Sequence, residues 1–217
     1  MKIPVIVNNR NLLTWPKSMI EKIQTYEDVG EIIIVDNNST YPPLLEWYNK
    51  HPCTVIRLDE NAGHTAPWVS RVIERLKSEY YIVTDSDMGL DNTPDNTLLY
   101  LKEKLDYLSL DKVGLGLDWR IVKPEAMYYN WMINHERVRW ETSKKTQNVA
   151  IDVTIDTTFA LYKKQEYFIG GGSTMAPYTA RHFPWEYSML DYAKDEEFRY
   201  YIDHVSNSCS FKWFLGL

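Results

Sequence analysis

Residues 80–89 read YYIVTDSDMG, an apolar and β-branched run from Tyr80 to Thr84 that closes on two aspartates one residue apart, Asp85 and Asp87. A short run of this kind, bounded by turn residues, reads as a buried strand. Side chains alternate along a strand, so Asp85 and Asp87 are expected on one side and Ser86 on the other. The earlier run EIIIV ends in the same way, at Asp36. In open α/β sheets, ligands bind in the crevice beyond the carboxyl ends of the strands. Two carboxylates converging there repel each other unless a cation or a donor-rich ligand lies between them. The pattern therefore predicts a hard divalent ion, Mn2+ or Mg2+, that takes oxygen ligands and shares them with substrate phosphates.

Strands and helices alternate on either side of this stretch. Ile3–Val7 reads as a first strand, followed by a helix from Thr14, with the Thr14 hydroxyl as N-cap, Pro16 in the first turn and Met19, Ile20 and Ile23 facing a core. A second strand, Ile32–Val35, leads through VDNNST into a short helix from Tyr41 to Tyr48. Thr54–Leu58 is a third strand, the turn ENAG follows, and Val69, Val72, Ile73 and Leu76 predict one helix over 66–77. After the strand 80–84, Pro94 and Asp95 open a leucine-rich helix, and Lys112–Leu117 is a fifth strand. Such alternation implies parallel β-α-β units with right-handed crossovers, an α/β Rossmann-like half with a mostly parallel central sheet flanked by helices. The second half is less regular. Pro124 to Thr142 reads as helical, 143–148 as a loop, 149–162 as one or two strands, GGGSTMAP (170–177) as a flexible loop and 195–205 as a last helix.

Composition removes several classes of function. The chain has 217 residues, within range for a single α/β domain with a modest C-terminal elaboration, and shows no internal repeat or clear linker. Its 24 Lys and Arg stand against 30 Asp and Glu, with no basic run longer than two, so a nucleic-acid footprint is missing. No apolar stretch has the length of a membrane span or a signal peptide, which reads as a soluble, cytoplasmic protein. Cys53 and Cys209 lack metal-ligand spacing and read as reduced thiols. Eight Trp and sixteen Tyr concentrate after Asp118, either as core packing or as a wall that stacks on sugar rings.

Other uses of a spaced acid pair fit poorly. A calcium loop starting at Asp85 needs Gly at its sixth position and Glu at its twelfth, where this chain has Leu90 and Asn96. A haloacid-type phosphatase carries its acids on the first strand. No Gly-x-Gly-x-x-Gly follows the first strand, where the chain runs VNNRN, so a dinucleotide cofactor is disfavoured.

Taken in order, PVIVNNRN, VDNNST, the NAG turn of Asn61–Gly63 and TDSD resemble the family-2 type of nucleotide-sugar glycosyltransferase with the GT-A fold, across roughly the first 120 residues. DTTFALY and ARHFPW look like segments of a small branch of such enzymes associated with bacterial and viral surface glycans. The resemblance implies a single domain over 1–217, with a nucleotide-sugar-binding half at 1–120 and an irregular acceptor-side half at 121–217. It implies a metal-dependent transfer of a sugar from a nucleoside diphosphate, UDP first among them, to a glycan hydroxyl in polysaccharide biosynthesis. Asn8 and Asn9 would line the nucleotide crevice, and Asp36, with Asn38 beside it, would meet the base. Asn61, Gly63 and His64 would flank the nucleotide. Asp85 would touch ribose or metal, and Asp87 would bind the metal and the diphosphate. A later histidine on the metal would be His182 in preference to His204. For an inverting transfer the base that deprotonates the acceptor would be Asp156, with Asp152 and Asp118 as alternatives, since no Glu-Asp pair follows the fifth strand, whereas a retaining transfer would need no such base. Two other readings stand beside this one: a sugar-phosphate nucleotidyltransferase, for which Arg10 would hold the triphosphate, and a non-catalytic glycan-binding domain.

Overall fold

The computed structural model describes residues 1–50, 53–155, 158–163, 167, 170–205, 212 and 215–216. Its first half alternates as the sequence predicts: β1 (Ile3–Asn9), α1 (Thr14–Ile23), β2 (Val29–Asp36), α2 (Pro42–Tyr48), β3 (Thr54–Arg57), α3 (Ala66–Val69) and β4 (Tyr81–Asp85). Next come β5 (Met88–Gly89), α4 (Thr97–Tyr107), β6 (Lys112–Gly114) and β7 (Gly116–Leu117). The helical run 129–142 consists of α5 (Tyr129–Met132), a wider π-helical stretch Ile133–Arg137 and α6 (Val138–Thr142). The chain then forms β8 (Lys145–Thr146), β9 (Val149–Thr154), β10 (Ala160–Tyr162), β11 (Gly170–Thr174) and β12 (Thr179–His182). After them come α7 (Phe183–Glu186), α8 (Met189–Lys194) and α9 (Glu196–His204).

Among the described residues, nine strands form one sheet in the order β3-β2-β1-β4-β10-β6-β11-β9-β8. All of them point the same way except β10 and β9, as the pairings require. The chain leaves β1 toward β2 and β3 on one side and returns to β4 on the other, which puts the topological switch point between the carboxyl ends of β1 and β4. Alternation along the strands sorts the core by face. Val5, Val7, Ile34 and Ile82 pack with Met19, Ile20, Leu98 and Leu101 of α1 and α4. Ile6, Ile33, Val35 and Val83 pack instead with Ala66, Val72 and Ile73. The first of these cores draws on residues from Ile3 to Ile202, so α9 belongs to the same packed body as the first strand. No helix among the described residues is long and apolar enough to cross a membrane.

Four local expectations need correction. The helix over 66–77 is broken: Arg71 takes a φ of 58°, and the Ser70 hydroxyl bonds to the Pro67 carbonyl, so the chain makes short turns in place of one helix. Thr14 does not cap α1. Its backbone N–H and that of Leu13 donate to Glu197 Oε1 at 2.9 and 2.7 Å, while its hydroxyl donates to Glu197 Oε2, so a carboxylate on α9 neutralises the N-terminus of α1. GGGST is not a loop but β11, an interior strand. A Cβ on Gly171 would lie 2.6 Å from the Lys112 carbonyl oxygen, so close backbone packing requires glycine there. Finally, β4 ends at Asp85, so strand alternation does not place Asp87.

Candidate active site

Asp87 is placed by a second, three-stranded sheet, β5-β12-β7, built beyond the end of β4. After a two-residue turn, β5 pairs antiparallel with β12, and Met88 lies opposite His182. The Phe183 N–H donates to the Asp87 carbonyl at 3.1 Å, which closes the turn. This register sets His182 Nε2 3.5 Å from Asp87 Oδ2. Gly89 makes the pairing possible, because a Cβ there would lie 2.8 Å from the ring of Phe183. Asp87 Oδ1 is buried and has no hydrogen-bond partner among the described residues. A carboxylate oxygen shut away from water without a donor is costly, and an ion ligated there would satisfy it.

Asp85 stands at the switch point itself. Asn8 Nδ2, at the end of β1, donates to Asp85 Oδ1 at 3.1 Å and also lies 3.3 Å from the Gly63 carbonyl. Asn37 Nδ2 donates to that same carbonyl at 2.9 Å, and Asn37 Oδ1 accepts from the Ala62 N–H. The NAG turn is thereby fastened over the crevice, with Asn61 Oδ1 accepting from the Gly63 N–H and Gly63 at a φ of 60°. Asn61, Gly63 and His64 lie exposed on this rim, and the His64 ring packs on Tyr167.

Asp36 and Asn9 lie deeper than the sequence suggests. The Asp36 carboxylate is fully buried and takes three donors: Arg57 Nε at 3.0 Å, the Tyr48 hydroxyl at 3.2 Å and the Ser39 N–H at 3.2 Å. Asn9 donates to the Tyr48 hydroxyl and to the Leu12 carbonyl. Burial, with Asp36 beside it, pushes the Tyr48 phenol far up, so it stays a donor to Asp36 at all ordinary pH. In this structure Asp36 and Asn9 brace the crevice from beneath. Asn38 takes a φ of 57°, and its carbonyl and that of Asn37 accept from the Arg10 guanidinium, which also reaches the His204 carbonyl. His204 is therefore tied to Arg10 and the stacked Tyr200, whereas His182 is the histidine that reaches Asp87.

A cavity of about 350 Å3 opens beside Asp85 and His182. Leu115, Leu117 and Ile155 line its apolar part, and Trp131, Trp185, His135, Glu136 and Arg139 line the helical wall. The rings run in series: His182 lies 4.5 Å from Trp185, Trp185 4.8 Å from Trp131, and Trp131 4.5 Å from His135. Part of the aromatic excess is thus an open wall, and part is core, as where Trp15 packs on Phe183 and Phe198. Asp156 lies outside the described residues. Asp152 is exposed on β9, and Asp118 is held by Arg120 at 2.6 Å; burial pushes its carboxyl up, but the bonds from Arg120 outweigh that and leave it below the usual range. Trp131 and Trp185 belong to the aromatic excess read as a possible sugar-stacking wall, whereas motif reading does not reach Glu136 or Arg139. Their only signal was a glutamate in the middle of an aromatic, helix-forming segment.

The donor set suits Mn2+ or Mg2+. Among the described residues no group of three or more His, Cys, Asp or Glu forms a closed cage. What exists is a histidine and a carboxylate in contact, His182 Nε2 with Asp87 Oδ2, with the other Asp87 oxygen unpartnered among the described residues and Asp85 two residues earlier in the chain. An ion held by so few protein groups takes its remaining ligands from substrate phosphates and water.

No family model matches the chain, and no curated protein does. Similar solved structures include S. aureus TarS, at 18% identity and a TM-score of 0.43, covering 75% of this chain and 28% of that one. A 1–349 form of TarS in complex with UDP matches at 17% identity and 0.43, over 75% and 47%. Glucosyl-3-phosphoglycerate synthase from Mycobacterium tuberculosis, in complex with Mn2+, UDP-glucose and phosphoglyceric acid, matches at 16% and 0.47, over 75% and 56%. CMP:2-keto-3-deoxy-manno-octonic acid synthetase complexed with CTP matches at 11% and 0.47, over 75% and 74%. The chain spans less than half the length of the two TarS structures and a little over half that of the synthase. Likeness at this level assigns no residue a role.

Proposed function

We propose that this chain is a metal-dependent glycosyltransferase of the cytoplasm that moves a sugar from a nucleoside diphosphate, UDP before others, to a hydroxyl of a glycan. The observation that carries this reading is the contact of His182 with Asp87 just beyond the end of β4, beside an aromatic-walled cavity that His182 shares with Asp85 at the β1/β4 switch point and that is large enough for a sugar ring. Asp85, Asp87 and His182 would hold Mn2+ or Mg2+, whose charge would offset the negative charge building on a departing diphosphate. Asn8 fixes the orientation of Asp85. Asn8 and Asn37 together hold the NAG turn as one rim of the nucleotide crevice, with Asn61, Gly63 and His64 facing the nucleotide. Trp131 and Trp185 offer ring faces to the C–H face of a pyranose.

A nucleotidyltransferase would need a free cation after β1 to hold a triphosphate. Arg10, the candidate, has its guanidinium committed to the carbonyls of Asn37, Asn38 and His204. A binding module without catalysis gives no account of the unpartnered Asp87 oxygen. In a thermal-shift panel of UDP-, GDP-, dTDP- and CMP-sugars with MnCl2, the UDP-sugars are expected to raise the melting temperature. Stabilisation by nucleoside triphosphates alone would favour the nucleotidyltransferase, and none across the panel would favour the binding module.

A further inference from the structure

Resting on that reading, we propose that Glu136 is the base that takes the proton from the attacking hydroxyl, in a displacement that inverts the configuration of the transferred sugar. Among the described residues lining the cavity, only Asp85 and Glu136 carry carboxylates. They come from different walls, Asp85 from the sheet and Glu136 from the helical run. An inverting displacement needs this separation, because the attacking oxygen and the leaving diphosphate occupy opposite faces of the anomeric carbon. The aromatic series from His182 through Trp185 and Trp131 to His135 connects the two walls. A sugar lying along it would place its diphosphate toward His182 and its open face toward Glu136.

The side chain is built for proton transfer. Glu136 lies in the π-helical stretch, where the wider turn re-aims side chains, a feature frequent at functional sites. It is 2% exposed, and Arg139 Nη1 donates to its oxygens at 3.0 and 3.2 Å, while His135 Nδ1 stands 3.6 Å from Oε1. Burial pushes the carboxyl above the usual glutamate range, with Arg139 and His135 pulling the other way. A base of raised proton affinity works closer to neutral pH than a surface glutamate does. In the step itself, a Glu136 oxygen takes the hydroxyl proton and the hydroxyl oxygen bonds to the anomeric carbon. The bond from that carbon to the diphosphate oxygen breaks, and its electron pair leaves with the diphosphate. Glu136 then returns its proton to water.

The test uses UDP-glucose, UDP-galactose and UDP-N-acetylglucosamine with MnCl2, water as the attacking hydroxyl, and UDP release as the readout. Glu136→Gln is expected to lower release by about 100-fold or more while leaving the Kd for UDP within about threefold. Wild-type release is expected to fall on the acid side with a midpoint above the ordinary glutamate range, because only the ionised carboxylate accepts a proton. Formate is expected to restore part of the release lost in Glu136→Ala. Should Glu136→Gln not fold, Glu136→Asp and the wild-type profile decide the matter. Glu136→Asp should release UDP at least about tenfold more slowly than wild type. Release by Glu136→Gln or Glu136→Asp within about threefold of wild type, a flat wild-type acid side, or loss confined to Asp156→Asn would overturn the proposal while leaving the transferase reading in place. Failure of the wild-type chain to bind any UDP-sugar would overturn both.

Discussion

Asp87→Ala is expected to abolish Mn2+-dependent release of UDP from UDP-sugars, a loss of about 100-fold or more, with the fold intact. The two halves of this expectation come from the same geometry. Asp87 contributes one oxygen near His182 and a second, buried oxygen with no partner among the described residues, so the side chain does little for stability. Its backbone carbonyl accepts from Phe183, and alanine keeps that bond. Removing a buried, unpartnered carboxylate oxygen is expected to leave the stability within about 1 kcal/mol of wild type, or to raise it slightly, as happens where a site is strained for function. Parallel denaturation and UDP-release measurements would check it, and full activity in Asp87→Ala would remove Asp87 from the mechanism.

The largest loss of stability is expected at Asp36. In Asp36→Ala, the buried Tyr48 hydroxyl and the Ser39 N–H each lose an acceptor, and Arg57 loses its partner. Arg57 is about half exposed, at 52% of its side chain, and water can take it back, which limits its share. The two buried donors cannot recover in this way, and the expected total is about 3 kcal/mol. Urea denaturation of Asp36→Ala and Asp36→Asn would measure it, with the asparagine variant losing less because its carbonyl keeps one acceptor. Unchanged stability with lost UDP affinity would show that Asp36 serves the ligand and does not brace the crevice.

Much of this architecture was legible because the strands near the switch point are buried on both faces and read as plain apolar runs. Ile32–Val35 and Tyr80–Thr84 fall inside or within one residue of β2 and β4, and the acids that follow them mark the carboxyl ends. What escaped reading depends on contacts distant in sequence. The interior strand at 170–174 looks like a flexible loop until the backbone of Lys112 is laid beside Gly171. Nothing local to Arg71 announces a positive φ in the middle of an amphipathic pattern. The small sheet β5-β12-β7 has strands of two to four residues, too short for periodicity, yet it alone brings His182 to Asp87. Likewise, Asp36 carries the same strand-end signature as Asp85, but only Arg57 and Tyr48, arriving from β3 and α2, turn it into a buried brace. Glu136 has no motif at all, and burial against the cavity is what singles it out.

The sharpest trial is a calorimetric titration of the wild-type chain with UDP, run with saturating MnCl2 and again with EDTA. If anionic oxygens around Asp87 capture a doubly charged ion and the pyrophosphate through it, the manganous salt raises UDP affinity by about tenfold or more, and Asp87→Ala loses that gain. Equal UDP affinity with and without the ion would contradict the account.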